Sequence, residues 1–126
     1  MKKILIVEDS ETIREMVAYR LTESGYDVET ASDGKEGLRK IKEVKPDLVV
    51  LDIRMPGMDG FEVCEKAKAD PAIKHIPILF LTTATQKADY EKGRECGADG
   101  YVTKPYEGTG LVDEVKRVLQ KKQIEL

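Results

Sequence analysis

Short, wholly apolar runs alternate along the chain with longer stretches whose apolar residues recur every three or four positions. This alternation predicts parallel strands joined by helical crossovers. The first run, Ile4-Leu5-Ile6-Val7, is followed by a segment with Ile13, Met16, Val17 and Leu21 on one face; Ser10 is a good helix cap and Gly25 a helix stop. Tyr26 to Ala31 alternates apolar and polar residues as an edge strand does. Ser32 then opens a helix with Leu38, Ile41 and Val44 inward, and Pro46 ends it. Leu48-Val49-Val50-Leu51 is apolar at each position, the mark of a strand covered on both faces, and Asp52 follows it directly. After a loop from Ile53 to Met58, Asp59 and Glu62 stand at capping-box spacing before a helix that buries Phe61, Cys64 and Ala67 and closes at Asp70-Pro71. Ile78 to Leu81 makes a fourth strand, Lys87 to Cys96 a helix and Tyr101-Val102 a short fifth strand; Leu111, Val112, Val115, Val118 and Leu119 line the last helix. The expected fold is α/β, a doubly wound sheet of five parallel strands with five helices and no repeat, linker or low-complexity tract.

A length of 126 residues suits one domain, 1–126, whose core needs no disulfide. Charged residues reach 36%, yet the periodic apolar positions exclude a disordered chain. The net charge is -3 with Lys and Arg scattered among the acids, so no direct nucleic-acid partner is expected. No apolar run is long enough for a bilayer and the first residues lack a signal-peptide pattern, so a cytoplasmic protein without a membrane partner is expected. Cys64 and Cys96 lack metal-ligand spacing and read as small buried groups of a reduced protein. His75 lies in a loop before Pro77 with no bundle helix around it, which argues against a phosphohistidine carrier.

The residues that carry chemistry fall at strand ends: Glu8-Asp9 after the first, Asp52 after the third, Lys104-Pro105 after the fifth. In a doubly wound sheet that edge binds ligands. With the strand order 2-1-3-4-5, taken by analogy with other such sheets, the first and third strands are neighbours about 4.8 Å apart and Glu8, Asp9 and Asp52 converge. Three ionised carboxylates so close must take up a proton or share a cation. An oxygen-only donor set without His or Cys selects a hard ion, Mg²⁺ with Mn²⁺ as substitute. Lys104 adds positive charge that attracts a phosphoryl group, and Thr82, ending the fourth strand, offers it a hydroxyl.

Ile6-Val7-Glu8-Asp9, Leu51-Asp52 followed by Met55-Pro56-Gly57-Met58-Asp59-Gly60, Leu81-Thr82-Thr83-Ala84, and Gly97-Ala98-Asp99-Gly100-Tyr101-Val102-Thr103-Lys104-Pro105 occur in one order and spacing. In these motifs the chain resembles the CheY-like receiver domains of two-component response regulators, a flavodoxin-like fold, over nearly its whole length. The resemblance implies that Asp52 takes a phosphoryl group from the phosphohistidine of a sensor histidine kinase or histidine phosphotransfer protein. It further implies that Glu8, Asp9, Asp52 and the backbone carbonyl of Arg54 hold Mg²⁺ and that Lys104 contacts the phosphoryl group. Thr82 would close on that group and Tyr101 would swing inward, a two-state switch read by a downstream protein on the face of the fourth helix, fifth strand and fifth helix. Lys104-Pro105 would be a cis peptide and Gly60 would let the chain turn beneath the acidic loop. The expected protein is a single-domain response regulator in a phosphorelay, catalysing only its own phosphorylation and dephosphorylation; a weak homodimer on phosphorylation is compatible with it.

Taken singly, Asp9 could begin a helix, Asp52 be a loop acid, Tyr101 a half-buried core aromatic and Lys104 a solvated charge. Their convergence favours function. Glu8 is one methylene longer than the Asp often found there, which suits a water-mediated approach to the metal. Arg54 can screen attacking water or pair with an acidic partner, and Ala84 cannot orient water, so slow self-dephosphorylation is expected. A flavin or nucleotide binder would need a Gly-, Ser- or Thr-rich loop where Glu8-Asp9-Ser10-Glu11 stands. An aspartyl-phosphate phosphohydrolase commonly carries an acid at the position of Arg54, and a scaffold without phosphate chemistry would be expected to lack one of Asp9, Asp52, Thr82 and Lys104.

Overall fold

The apolar runs become the inner strands of a parallel sheet in a computed structural model that describes residues 1–82, 87–103 and 110–125. The elements are β1 (Lys3–Val7), α1 (Glu11–Glu23), β2 (Asp27–Ala31), α2 (Gly34–Val44), β3 (Leu48–Asp52), α3 (Gly60–Ala69), β4 (Ile78–Thr82), α4 (Lys87–Cys96), β5 (Gly100–Thr103) and α5 (Gly110–Glu125). The sheet order is β2-β1-β3-β4-β5, as the analogy predicted. Ile4 to Val7, Leu48 to Leu51 and Ile78 to Leu81 are all buried, whereas β2 at the edge does not alternate as expected: it goes from exposed at Asp27 through half-buried residues to buried at Ala31. Alternate strand residues feed opposite cores. Leu5, Val7, Val49, Leu51, Ile78 and Phe80 pack with Ile41 of α2 and with Phe61, Val63, Cys64 and Ala67 of α3. Ile4, Ile6, Leu48, Val50, Leu79 and Leu81 pack with Val17 and Leu21 of α1 and with Leu111, Val115 and Val118 of α5.

Two of the three expected caps begin their helices. The Ser10 hydroxyl accepts from the Ile13 N–H at 3.3 Å, and Asp59 accepts from the Glu62 N–H at 3.0 Å. The cap of α2 is Asp33 rather than Ser32. The Asp33 carboxylate takes the Glu36 N–H at 2.8 Å, while Glu36 reaches back to the Ser32 N–H at 2.8 Å, so both donors are satisfied one residue later than expected. Tyr26 falls outside β2, and β5 extends one residue beyond Tyr101-Val102 at each end, because pairing with β4 runs from Gly100 to Thr103. The segment after β3 crosses over with Gly57 at φ +74, a backbone region that suits glycine. Gly60 serves a different end from the turn expected of it. A Cβ there would run into the Asp52 carbonyl, so glycine permits α3 to start against the end of β3.

Candidate functional site

The register β1–β3 pairs Val7 with Leu51, so the next residues, Glu8 and Asp52, leave the sheet side by side, with Asp9 one step beyond. One carboxylate oxygen from each of Glu8, Asp9 and Asp52 lies within 4.8 Å of the others. The three differ in burial: Glu8 is buried, Asp52 half-buried and Asp9 exposed. Glu8 is fixed by its own backbone. Its N–H donates to the Ala31 carbonyl at 3.1 Å, its carbonyl accepts from the Arg14 guanidinium at 2.9 Å, and Oε1 accepts from the Ser10 N–H at 3.2 Å. The first turn of α1 thus holds the acid in place.

Burial pushes Asp52 up to about 8, helped by the charge of Glu8, by a hydrogen bond between the two carboxyls and by the charge of Asp9. The Arg54 backbone N–H, which donates to the Asp52 carboxylate, opposes that rise. A hydrogen bond between carboxyls needs a proton on one of them, the first of the two outcomes expected of crowded acids. The second, a shared cation, fits the same donor set: hard oxygens, converging from two strands, at a strand edge open to solvent through Asp9.

Thr82 ends β4, buried, one step past the Asp52–Leu81 pair. Tyr101 in β5 pairs with Phe80 and is half-buried. Its ring lies 6.1 Å from Phe80 and 4.9 Å from Tyr90 between centroids, and its hydroxyl donates to the Tyr90 carbonyl at 2.8 Å. A Cβ on Gly93 would collide with that ring, so Gly93 provides the notch in α4 where Tyr101 rests. Thr82 and Tyr101 border one narrow space, together with Ile53, Asp89 and Tyr90.

Arg54 pairs within the chain. Its Nη2 lies 2.7 Å from Oδ2 of Asp89 in the first turn of α4. Sequence reasoning missed Asp89, because an acid in the first turn of a helix has an ordinary explanation and only the fold brings it 35 residues back to the β3–α3 loop. Cys64 is buried, its thiol pushed up to about 12 chiefly by burial, and it donates to the Cys96 carbonyl at 3.4 Å, in keeping with an inert core group. Ala84, Lys104 and Pro105, and with them the expected cis peptide, lie outside the described residues.

Among the described residues no helix is long and apolar enough to cross a membrane. The family described as response regulator receiver domain matches residues 4–116. The alkaline phosphatase synthesis transcriptional regulatory protein PhoP of Bacillus subtilis is 45% identical over 123 residues, which are 98% of this chain and 50% of that protein. The chain therefore spans about half the length of the curated relatives it matches. The chemotaxis protein CheY4 of Vibrio cholerae is 40% identical with a TM-score of 0.89, covering 94% of this chain and 98% of the other. A CheY-like receiver domain protein from Methanospirillum hungatei is 31% identical with a TM-score of 0.92, covering 100% and 99%.

Proposed function

This chain belongs to the response regulator receiver domain family, whose general function is phosphorylation-dependent signalling, and on that premise we propose that Asp52 is its phosphoacceptor. The observation that supports this reading best is the convergence of Glu8, Asp9 and Asp52 within 4.8 Å at the ends of two neighbouring strands. Residues 1–126 act as one receiver domain. Asp52 attacks as a carboxylate, the form that a divalent cation held among the three acids would favour. An Asp52 oxygen then forms a bond to phosphorus while the P–N bond of a phosphohistidine breaks, and the imidazole departs with that electron pair. Glu8, Asp9, Asp52 and the Arg54 carbonyl would hold Mg²⁺, or Mn²⁺ in its place, which supplies positive charge against the crowded acids and the phosphoryl oxygens. Lys104 contacts the phosphoryl group, and the Thr82 hydroxyl donates to one of its oxygens.

The donor is a histidine kinase or a histidine phosphotransfer protein. Movement of Thr82 and Tyr101 alters the face formed by α4, β5 and α5, where a downstream protein binds. Chemistry beyond the chain's own phosphorylation and dephosphorylation is not part of this reading, which places the protein in the cytoplasm.

Intact mass after incubation with Mg²⁺ and acetyl phosphate tests the proposal. One labile phosphoryl group is expected on the protein, and none on Asp52→Asn or in chelator. An adduct that survives Asp52→Asn would overturn the assignment.

A further inference from the structure

Asp89 is an unusual anchor for a helix. Its side chain is 11% exposed, while that of Arg54, whose guanidinium neutralises it, is 63% exposed, so the pair is nearly buried at one end and largely in water at the other. Losing the contact costs the two partners unequally. Arg54 would return to solvent, whereas Asp89 would be left as a buried charge, a state relieved when α4 moves outward and water reaches the carboxylate. Asp89 also borders the space between Ile53, Thr82, Tyr90 and Tyr101, which has no room for a water molecule. A tyrosine ring cannot enter that space unless α4 yields.

Arg54 stands two residues beyond Asp52, and its backbone N–H already bonds the Asp52 carboxylate. We propose that the Arg54–Asp89 ion pair is a latch closing α4 over the space beside Thr82, and that a phosphoryl group on Asp52 opens it by drawing the Arg54 guanidinium away from Asp89. The inference rests on Asp52 being the phosphoacceptor. Its chemistry is competition between two anions for one guanidinium: a single carboxylate, against a phosphoryl group whose several oxygens match the planar fork of donors. Because the coupling is reciprocal, whatever weakens Asp89 as a partner must strengthen binding of the phosphoryl group. Arg54 is in this sense a positioning residue for α4 as well as a ligand for the transferred group.

The test uses beryllofluoride with Mg²⁺ as the phosphoryl mimic, on the protein, the isosteric Asp89→Asn, Arg54→Gln, and the double variant. Calorimetric titration should show Asp89→Asn binding the mimic about five-fold or more tighter than the protein, and Arg54→Gln binding at least about five-fold weaker than Asp89→Asn. The double variant should match Arg54→Gln, because Asp89 acts through Arg54. Hydrogen exchange without the mimic should show faster exchange in α4 for both single variants, and for the protein once the mimic is added. Equal affinity of the protein and Asp89→Asn, or a double variant as tight as Asp89→Asn, would overturn the latch. Unchanged α4 exchange in both single variants would also overturn it, and that measurement needs no mimic. If instead Asp52→Asn binds the mimic as well as the protein does, the phosphoacceptor assignment fails, while the exchange of the unliganded variants still decides whether Arg54 holds α4.

Discussion

Asp52→Asn should stabilise the metal-free protein above neutral pH, although it removes the residue on which the proposed function depends. The folded chain raises the Asp52 pKa from an ordinary 3.8 to about 8, with burial as the largest cause and Glu8 next. The sign follows from proton binding. Between about pH 4 and pH 8 the folded chain holds a proton that the unfolded chain has released, so stability from this group is complete at low pH and is lost as pH rises through that window. At about 1.4 kcal/mol per pH unit the ceiling is about 6 kcal/mol. Asp52 is only half-buried, and solvent screening reduces the expected effect to about 2 kcal/mol.

Urea unfolding in chelator at about pH 4 and about pH 8, the two ends of that window, measures this directly. The protein should lose about 2 kcal/mol between the two conditions, Asp52→Asn should be nearly flat, and at the higher pH the variant should be the more stable. Mg²⁺ at about one hundred times its dissociation constant should then return about 2.7 kcal/mol to the protein. Two results would refute the reasoning: the same loss with pH in both proteins, or a variant less stable than the protein at pH 8 without metal. Either would mean that the three carboxylates are relieved by relaxation or hydration and that Asp52 carries no stored repulsion.

Two further outcomes concern Gly60 and the positions near the phosphoryl site. Gly60→Ala places a methyl group against the Asp52 carbonyl and should cost about 3 kcal/mol, read as a lowered urea midpoint; a midpoint equal to that of the unsubstituted protein would show that α3 can back away. Loss of the phosphoryl group after donor removal should be slow, and faster in Ala84→Glu and Arg54→Asn, as followed by intact mass; slower loss in both variants would overturn the role given to these positions.

The strands were legible because β1, β3 and β4 are covered on both faces, which forces an apolar residue at each inner position and leaves runs too short for a buried helix and rich in Val, Ile and Leu. The carboxylate cluster was legible once a strand order was assumed, since Glu8, Asp9 and Asp52 end strands whose adjacency needs no side-chain detail. What escaped the sequence is of two kinds. One is a choice between adjacent residues with similar chemistry, Ser32 against Asp33 at the start of α2, where either side chain can cap and the hydrogen-bond geometry decides. The other is contact across the fold. The collision that keeps Gly60 a glycine and the pairing of Arg54 with Asp89 depend on how α3 and α4 approach the end of β3, and no local pattern records an approach.

That approach also explains why α4 is the element a charge at Asp52 can move. α3 gives the core Phe61, Val63, Cys64 and Ala67, and each large apolar group among them is worth about 1.5–3 kcal/mol of burial. Among the described side chains of α4 there is no buried aliphatic residue; those that are buried or half-buried belong to Asp89, Tyr90 and Cys96. The described contacts that hold the helix include the Arg54–Asp89 pair, Tyr90 against Tyr101, the Tyr101 hydroxyl on the Tyr90 carbonyl, Cys96 against the core with its carbonyl accepting from the Cys64 thiol, and Lys92, whose Nζ lies 4.7 Å from the centre of the Phe61 ring. Each such contact contributes about 1 kcal/mol. Among the described contacts, losing one therefore removes a larger share of the attachment of α4 than of α3. A change of charge at the rigid end of β3 therefore acts first on the helix whose attachment is polar and thin, and that helix borders Thr82 and Tyr101.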